Sequence, residues 1–153
     1  MKYTLLYIIM VVACLSLTAC RQRAFYYHYE HTPLGGWDRT DTLHFMVPAV
    51  SESGLYDIQL GLCTDSYYPY RNISIIAAHR VLPDGQSVRD TITHDVIDES
   101  GHPTGTGTSL FQYLFPLTTL QLKEGESLEV SVFHNMRREI LPGVSSVGVQ
   151  VKK

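Results

Sequence analysis

Apolar and polar residues alternate along most of this chain. Leu43, Phe45 and Val47 fall on one parity, with Thr42, His44 and Met46 on the other. Tyr56, Ile58, Leu60 and Leu62 repeat the arrangement against Asp57, Gln59, Gly61 and Cys63. Ile73, Ile75 and Ala77 continue it, followed by Val88 to Val96, Leu110 to Phe115, Leu128 to Phe133 and the triplet Val147, Val149, Val151. A side-chain period of two places successive residues on opposite faces of an extended segment, so each run predicts a half-buried strand. Turn chemistry separates the runs: Pro33-Leu34-Gly35-Gly36, Glu52-Ser53-Gly54, Pro83-Asp84-Gly85, Ser100-Gly101 and Glu124-Gly125. No stretch sustains the three-to-four spacing of a helix. Seven or eight strands at such intervals predict an all-β fold, an antiparallel β-sandwich of the immunoglobulin-like or jelly-roll-like kind. The aromatic segment Phe25-Tyr26-Tyr27-His28-Tyr29-Glu30 reads as the first strand in preference to a belt at lipid headgroups.

The first twenty residues do not alternate. Lys2 precedes an apolar run from Tyr3 to Leu17, and the run ends in Leu17-Thr18-Ala19-Cys20. A charged start, an apolar stretch and small residues before a cysteine form a bacterial lipoprotein signal. A plain secretory signal needs no cysteine there, and the run falls short of the roughly 20 residues that span a bilayer. Residues 1–19 are therefore expected to be a signal peptide, with Cys20 the acylated first residue of the mature protein. One acyl chain holds a protein only reversibly, whereas two or three chains on one cysteine hold it at its membrane. Residues 20–24 make a short tether, and 25–153 are of ordinary size for a single domain.

Composition removes several function classes. The formal net charge is −3 and no run of Lys or Arg suggests nucleic acid. Arg21 and Arg23 are too few for a polybasic patch. With Cys14 in the signal and Cys20 acylated, Cys63 has no intramolecular disulfide partner and reads as a small buried hydrophobe. The seven histidines, His28, His31, His44, His79, His94, His102 and His134, lack metal-ligand spacing, so neither a metal nor a cofactor is expected. There is no Gly-x-Ser-x-Gly elbow. Asp95, Asp98 and Glu99 read as a solvated loop in preference to a catalytic pair. The Gly101–Thr108 run lacks the ending of a phosphate-binding loop. No catalytic residue is assigned, and the chain reads as a non-enzyme.

Two segments carry more information. Tyr67-Tyr68-Pro69-Tyr70-Arg71-Asn72 joins two strands. It is either a loop folded over the sandwich end or a contact surface, since Tyr and Arg dominate interface hot spots. Met136-Arg137-Arg138-Glu139-Ile140-Leu141-Pro142-Gly143 interrupts the β pattern before the last strand. Arg137 either joins a buried ion pair or offers its planar fork to a partner's carboxylate.

In order along the chain, the lipobox, Trp37-Asp38, Tyr56-Asp57-Ile58-Gln59-Leu60, Tyr68-Pro69-Tyr70-Arg71-Asn72, Pro83-Asp84-Gly85 with Asp90-Thr91, Met136-Arg137 and Leu141-Pro142-Gly143-Val144 resemble the GldH family of gliding-motility lipoproteins of the Bacteroidetes. Cys63 stands where the family tends to have Arg, and His102-Pro103-Thr104 where it tends to have an aromatic. The resemblance implies a non-catalytic assembly or stabilising component associated with gliding motility or type IX secretion. Its expected place is the outer membrane, facing the periplasm, with other envelope or motility-machinery proteins as partners. Trp37, Tyr68, Tyr70, Arg71 and Arg137 are the residues expected to touch a partner. The triplets Asp41-Thr42-Leu43 and Asp90-Thr91-Ile92 are similar to the O-glycosylation signal of that phylum and make Thr42 and Thr91 candidate glycan sites. The alternative is a carbohydrate-binding β-sandwich lipoprotein using Trp37 and the tyrosines as stacking platforms.

Overall fold

Every alternating run becomes a strand in the computed structural model, which describes residues 24–153. The strands are β1 (Tyr26–His31), β2 (Trp37–Asp38), β3 (Leu43–Val47), β4 (Gly54–Asp65), β5 (Asn72–Leu82), β6 (Val88–Asp95), β7 (Leu110–Leu122), β8 (Ser127–His134), β9 (Ile140–Leu141) and β10 (Val144–Lys152). The expected signal peptide, Cys20 and most of the tether lie outside the described residues.

Two four-stranded sheets form, ordered β1-β10-β4-β7 and β3-β8-β5-β6, and β2 pairs with β9 in a small flap. All pairings are antiparallel. The first long strand lies beside the last, and the chain passes between the two four-stranded sheets six times. Among the two expected sandwich types, this strand order is that of a jelly roll; an immunoglobulin sandwich keeps different neighbours.

The inward parity of each strand builds the core. Ile58, Leu60 and Leu62 of β4 and Val147, Val149 and Val151 of β10 are fully buried. They face Phe45, Val47, Ile73, Ile75, Leu128, Val130 and Val132 of the opposite sheet, also buried. The outward parity behaves as the pattern predicts, with Met46, Leu55 and Leu114 exposed.

Two features depart from the expected strands. The run ending at Phe115 continues to Leu122, because a bulge absorbs one residue: Ile58 pairs with Thr118 but Gln59 with Pro116. Pro116 is tolerated because β7 is an edge strand. Cys63 is half-buried and shares the outward parity of Gln59 and Gly61, so the expectation of a buried core cysteine is corrected.

The two ends of the sandwich differ. Phe25 enters beside Val151, its N–H donating to the Val151 carbonyl at 2.8 Å. The connections 48–53, 83–87 and 123–126 lie at that same end. The segments 32–42, 66–71, 96–109 and 135–143 gather at the other. The twelve residues of β4 separate the ends by about 40 Å at a rise of about 3.3 Å per residue.

Candidate functional site

The end remote from Phe25 collects most of the residues singled out from the sequence, and its architecture begins with Trp37. Pro33 to Gly36 closes a turn through a Gly36 N–H donating to the Pro33 carbonyl at 2.9 Å. A positive φ of 112° requires glycine there. The turn delivers Trp37 into β2, opposite Leu141 of β9, where its indole is 0% exposed. The indole N–H donates to the Asp41 carbonyl at 2.9 Å, and the ring meets His134 edge-on with centroids 5.2 Å apart. Trp37 is thus the anchor of the flap. Its expected place on a contact surface, or as a stacking platform for sugar, is corrected: nothing outside the core reaches it.

The tyrosine loop divides its residues. The Asp65 carboxylate accepts the Tyr67 N–H at 2.8 Å, closing a tight turn after β4. Tyr68 then points inward, 5% exposed, and donates its hydroxyl to the Asn72 carbonyl at 2.8 Å. Burial pushes its phenol pKa up, with neighbouring Tyr70 and Tyr113 adding to the shift. Tyr68 is therefore a plug of the sandwich end, which corrects its expected place at the surface. Tyr70 packs edge-on against it at 5.9 Å and is half-buried. Tyr67 is 81% exposed.

Arg71 is exposed and bound only loosely, 3.6 Å from Asp95 and 3.7 Å from Glu99. Its carbonyl accepts the N–H groups of both Val96 and Ile97 and so pins the 96–103 loop. Arg137 and Arg138 are exposed. No ion pair of theirs occurs among the described residues, so a buried pair for Arg137 is corrected. Met136 locates them: its sulfur accepts the Ser74 N–H of β5 at 3.3 Å.

Three exposed apolar side chains at this end were not among the expected contact residues. Leu34 projects fully from its turn, Tyr67 leads the tyrosine loop, and Ile140 stands on the flap. They are linked through backbone. Gly36 packs under Ile140, and Gly143, with a φ of 76°, lies against the backbone of Tyr67 and Tyr68. The Asp65 N–H donates to the Gly143 carbonyl at 2.9 Å. A leucine inside a Pro-Leu-Gly-Gly turn was the available signal, because an apolar residue at a turn tip cannot join a strand face. Two open depressions flank Asp65, one of about 320 Å³ beside Leu34 and Gly143, the other of about 290 Å³ beside Tyr68 and Tyr113.

The acids here serve the turns. Asp98 accepts the N–H groups of His102 and Ser100, which hold its carboxyl below the usual range. Asp38 is lowered the same way by Thr40. Among the described residues no three His, Cys, Asp or Glu side chains converge on a point that could hold a metal.

Thr42 and Thr91 fall on one surface. Thr91 of β6 is exposed and pairs with Ile76, which pairs with Phe133. The pairing of Leu43 with Val132 brings Thr42 beside Phe133 from the opposite edge. Both threonines lie on the outward face of the β3-β8-β5-β6 sheet.

Solved structures resemble this chain only distantly. A family 35 carbohydrate-binding module from Clostridium thermocellum is 9% identical, with a TM-score of 0.39 over 83% of this chain and 89% of that one. The sugar-binding C-terminal domain of EclA is 9% identical, with a TM-score of 0.34 over 89% and 80%. A structure of infectious bursal disease virus, Gt strain, is 16% identical with a TM-score of 0.36 over 87% of this chain, which spans 32% of that one. No curated protein matches in sequence. The family described as GldH lipoprotein matches residues 24–151, from the first described residue to the last strand, and the chain belongs to that family.

Proposed function

We propose that this lipoprotein is a non-catalytic assembly or stabilising component of an envelope machine, and that it works through protein contacts at the sandwich end remote from its anchor. The observation that carries this reading is the opposition of the two ends. Phe25 enters at one end, and Leu34, Tyr67, Ile140, Arg71, Arg137 and Arg138 stand exposed at the other. Four residues lie between Cys20 and Phe25, and the five steps span at most about 18 Å. An acylated Cys20 keeps the Phe25 end near the bilayer and directs the far end into the compartment. The tether is too short to fold back over a surface about 40 Å away. Exposed apolar groups beside exposed arginines match the composition of protein contact surfaces.

Family membership supports the finer assignment, an outer-membrane, periplasm-facing partner of gliding or type IX secretion proteins. Glycans on Thr42 and Thr91 would mark the outward face of the β3-β8-β5-β6 sheet as a surface away from the contact.

The test is a crosslinked pulldown of the tagged protein from its native envelope, followed by mass spectrometry. Recovery of gliding or type IX components supports the assignment. A pulldown empty of envelope-machine proteins contradicts it.

A further inference from the structure

We propose that the outward face of the β1-β10-β4-β7 sheet binds the pyranose rings of a neutral glycan chain. This site is separate from the protein-contact end, and its chemistry goes beyond that reading.

The face is built around Tyr29. In register, Tyr29 of β1 is followed across the sheet by Gly148 of β10 and Gly61 of β4. With no side chains in its way, the phenol lies along the sheet over both glycines. A Cβ at Gly148 would sit 2.6 Å from the ring, and one at Gly61 would collide with its hydroxyl end. Gln112 of β7 holds the far end, its amide N–H groups donating to the hydroxyls of Tyr29 at 3.1 Å and Tyr27 at 2.7 Å. The two rings lie 5.2 Å apart, and Tyr27 is 53% exposed. One amide thus pins two phenols, Tyr29 lying over the glycine trough and Tyr27 tilted 59° to it, and fixing aromatic faces in advance reduces the ordering cost of binding.

The adjoining row supplies the polar half. Gln150 and Gln59 are register partners beside Tyr27. The amide oxygens of both are buried without any hydrogen-bond donor. Buried acceptors are normally satisfied, so two orphans side by side point to a missing donor. Both side chains occupy the outward layer of the sheet, in the register row of the exposed Tyr27. Gln59 also lines an open depression of about 290 Å³ with Asp57, Pro116 and Thr119. The Thr119 hydroxyl donates to the Asp57 carboxylate at 2.7 Å. Lys152 is the register partner of Asp57, so this row carries one charge of each sign.

A pyranose combines what this face lacks: an apolar C–H face to lie on a phenol, and hydroxyl donors at its rim for amide oxygens. The balanced charge favours a neutral sugar.

The test titrates the full-length lipoprotein in detergent micelles with cellohexaose and, separately, chitohexaose, followed by NMR of the glutamine side-chain amides. Binding at millimolar concentration or below should shift the Gln59, Gln112 and Gln150 amides and leave the Tyr67 loop unmoved. Tyr27→Ala and the shape-preserving Gln59→Leu should each weaken binding about tenfold, equivalent to about 1.4 kcal/mol, without changing the melting temperature. Binding of chitohexaose alone identifies an N-acetylated wall glycan as the source, of cellohexaose alone a non-acetylated polysaccharide, and of both a site that reads the ring only. Absence of shifts with either sugar at 10 mM, chosen as roughly the weak limit of specific recognition, overturns the proposal. So does binding that survives both substitutions.

Discussion

The imidazole of His134 bridges the core and the flap: its Nε2 lies 3.0 Å from the Trp37 carbonyl, and its Nδ1 lies 3.3 Å from the Met136 N–H. A carbonyl can only accept and an amide N–H can only donate. Nε2 therefore carries the proton and Nδ1 is bare. The neutral ring fits both partners, and a second proton would drive out the Met136 N–H. Met136 in turn positions Arg137 and Arg138, so one buried ring supports an exposed part of the proposed contact end.

Acid should weaken the fold through this ring. Burial holds the His134 pKa below its usual 6.5, and His79 is lowered for the same reason. A depressed histidine favours the folded state fully above the unfolded pKa of about 6.5, and that contribution is lost as pH falls toward the folded value. Melting temperatures measured from pH 7.5 to 5 should fall below about pH 6.5. His134→Gln should lower the melting temperature at neutral pH and flatten the slope. A slope unchanged in both His134→Gln and His79→Gln would remove histidine as the cause.

Trp37→Ala should behave as a core truncation, costing about 3–5 kcal/mol in chemical denaturation. A loss of less than about 1 kcal/mol would place the indole at the surface after all.

Arg71→Ala and Arg137→Ala should leave stability within about 1 kcal/mol, because exposed ion pairs contribute little and Arg137 makes none among the described residues. Partner recovery in the pulldown should fall in both. Unfolding of either variant would mean that its side chain serves packing.

Gly61→Val should be overpacked and lose about 1–3 kcal/mol, since its side chain takes the place of the Tyr29 phenol. Combining it with Tyr29→Ala should recover part of that loss in a double-mutant cycle. Strict additivity would show that the phenol does not lie over Gly61.

The strands were legible because a period of two survives wherever one face is buried, as in β4 and β10. Pro116 and Leu117 hid the second half of β7, since a bulge shifts parity in mid-strand and alternation cannot be followed across it. Trp37 and Tyr68 were misplaced for a related reason. A single aromatic next to a turn carries no parity, and long-range partners decide its side: the β2–β9 pairing for Trp37, and the Asn72 carbonyl for Tyr68. Arg71 and Arg137 are exposed, as residues expected on a contact surface must be, because charged side chains beside turns rarely enter a core. The outward face of the β1-β10-β4-β7 sheet left almost no trace in sequence. Gln59 and Gly61 of β4 lie far along the chain from Gly148 and Gln150 of β10, and the two pairs become neighbours only through register.

The opposition of the two ends makes a sharp demand on photo-crosslinking in the native envelope, with the crosslinker placed at Tyr67 in one strain and at Glu124 in another. Tyr67 is exposed at the end remote from Phe25, and Glu124 is exposed in the connection beside it. Capture of the same envelope protein from Tyr67 and not from Glu124 is the expected result. Capture from Glu124 alone, or no protein from Tyr67, would contradict docking at the end remote from the anchor.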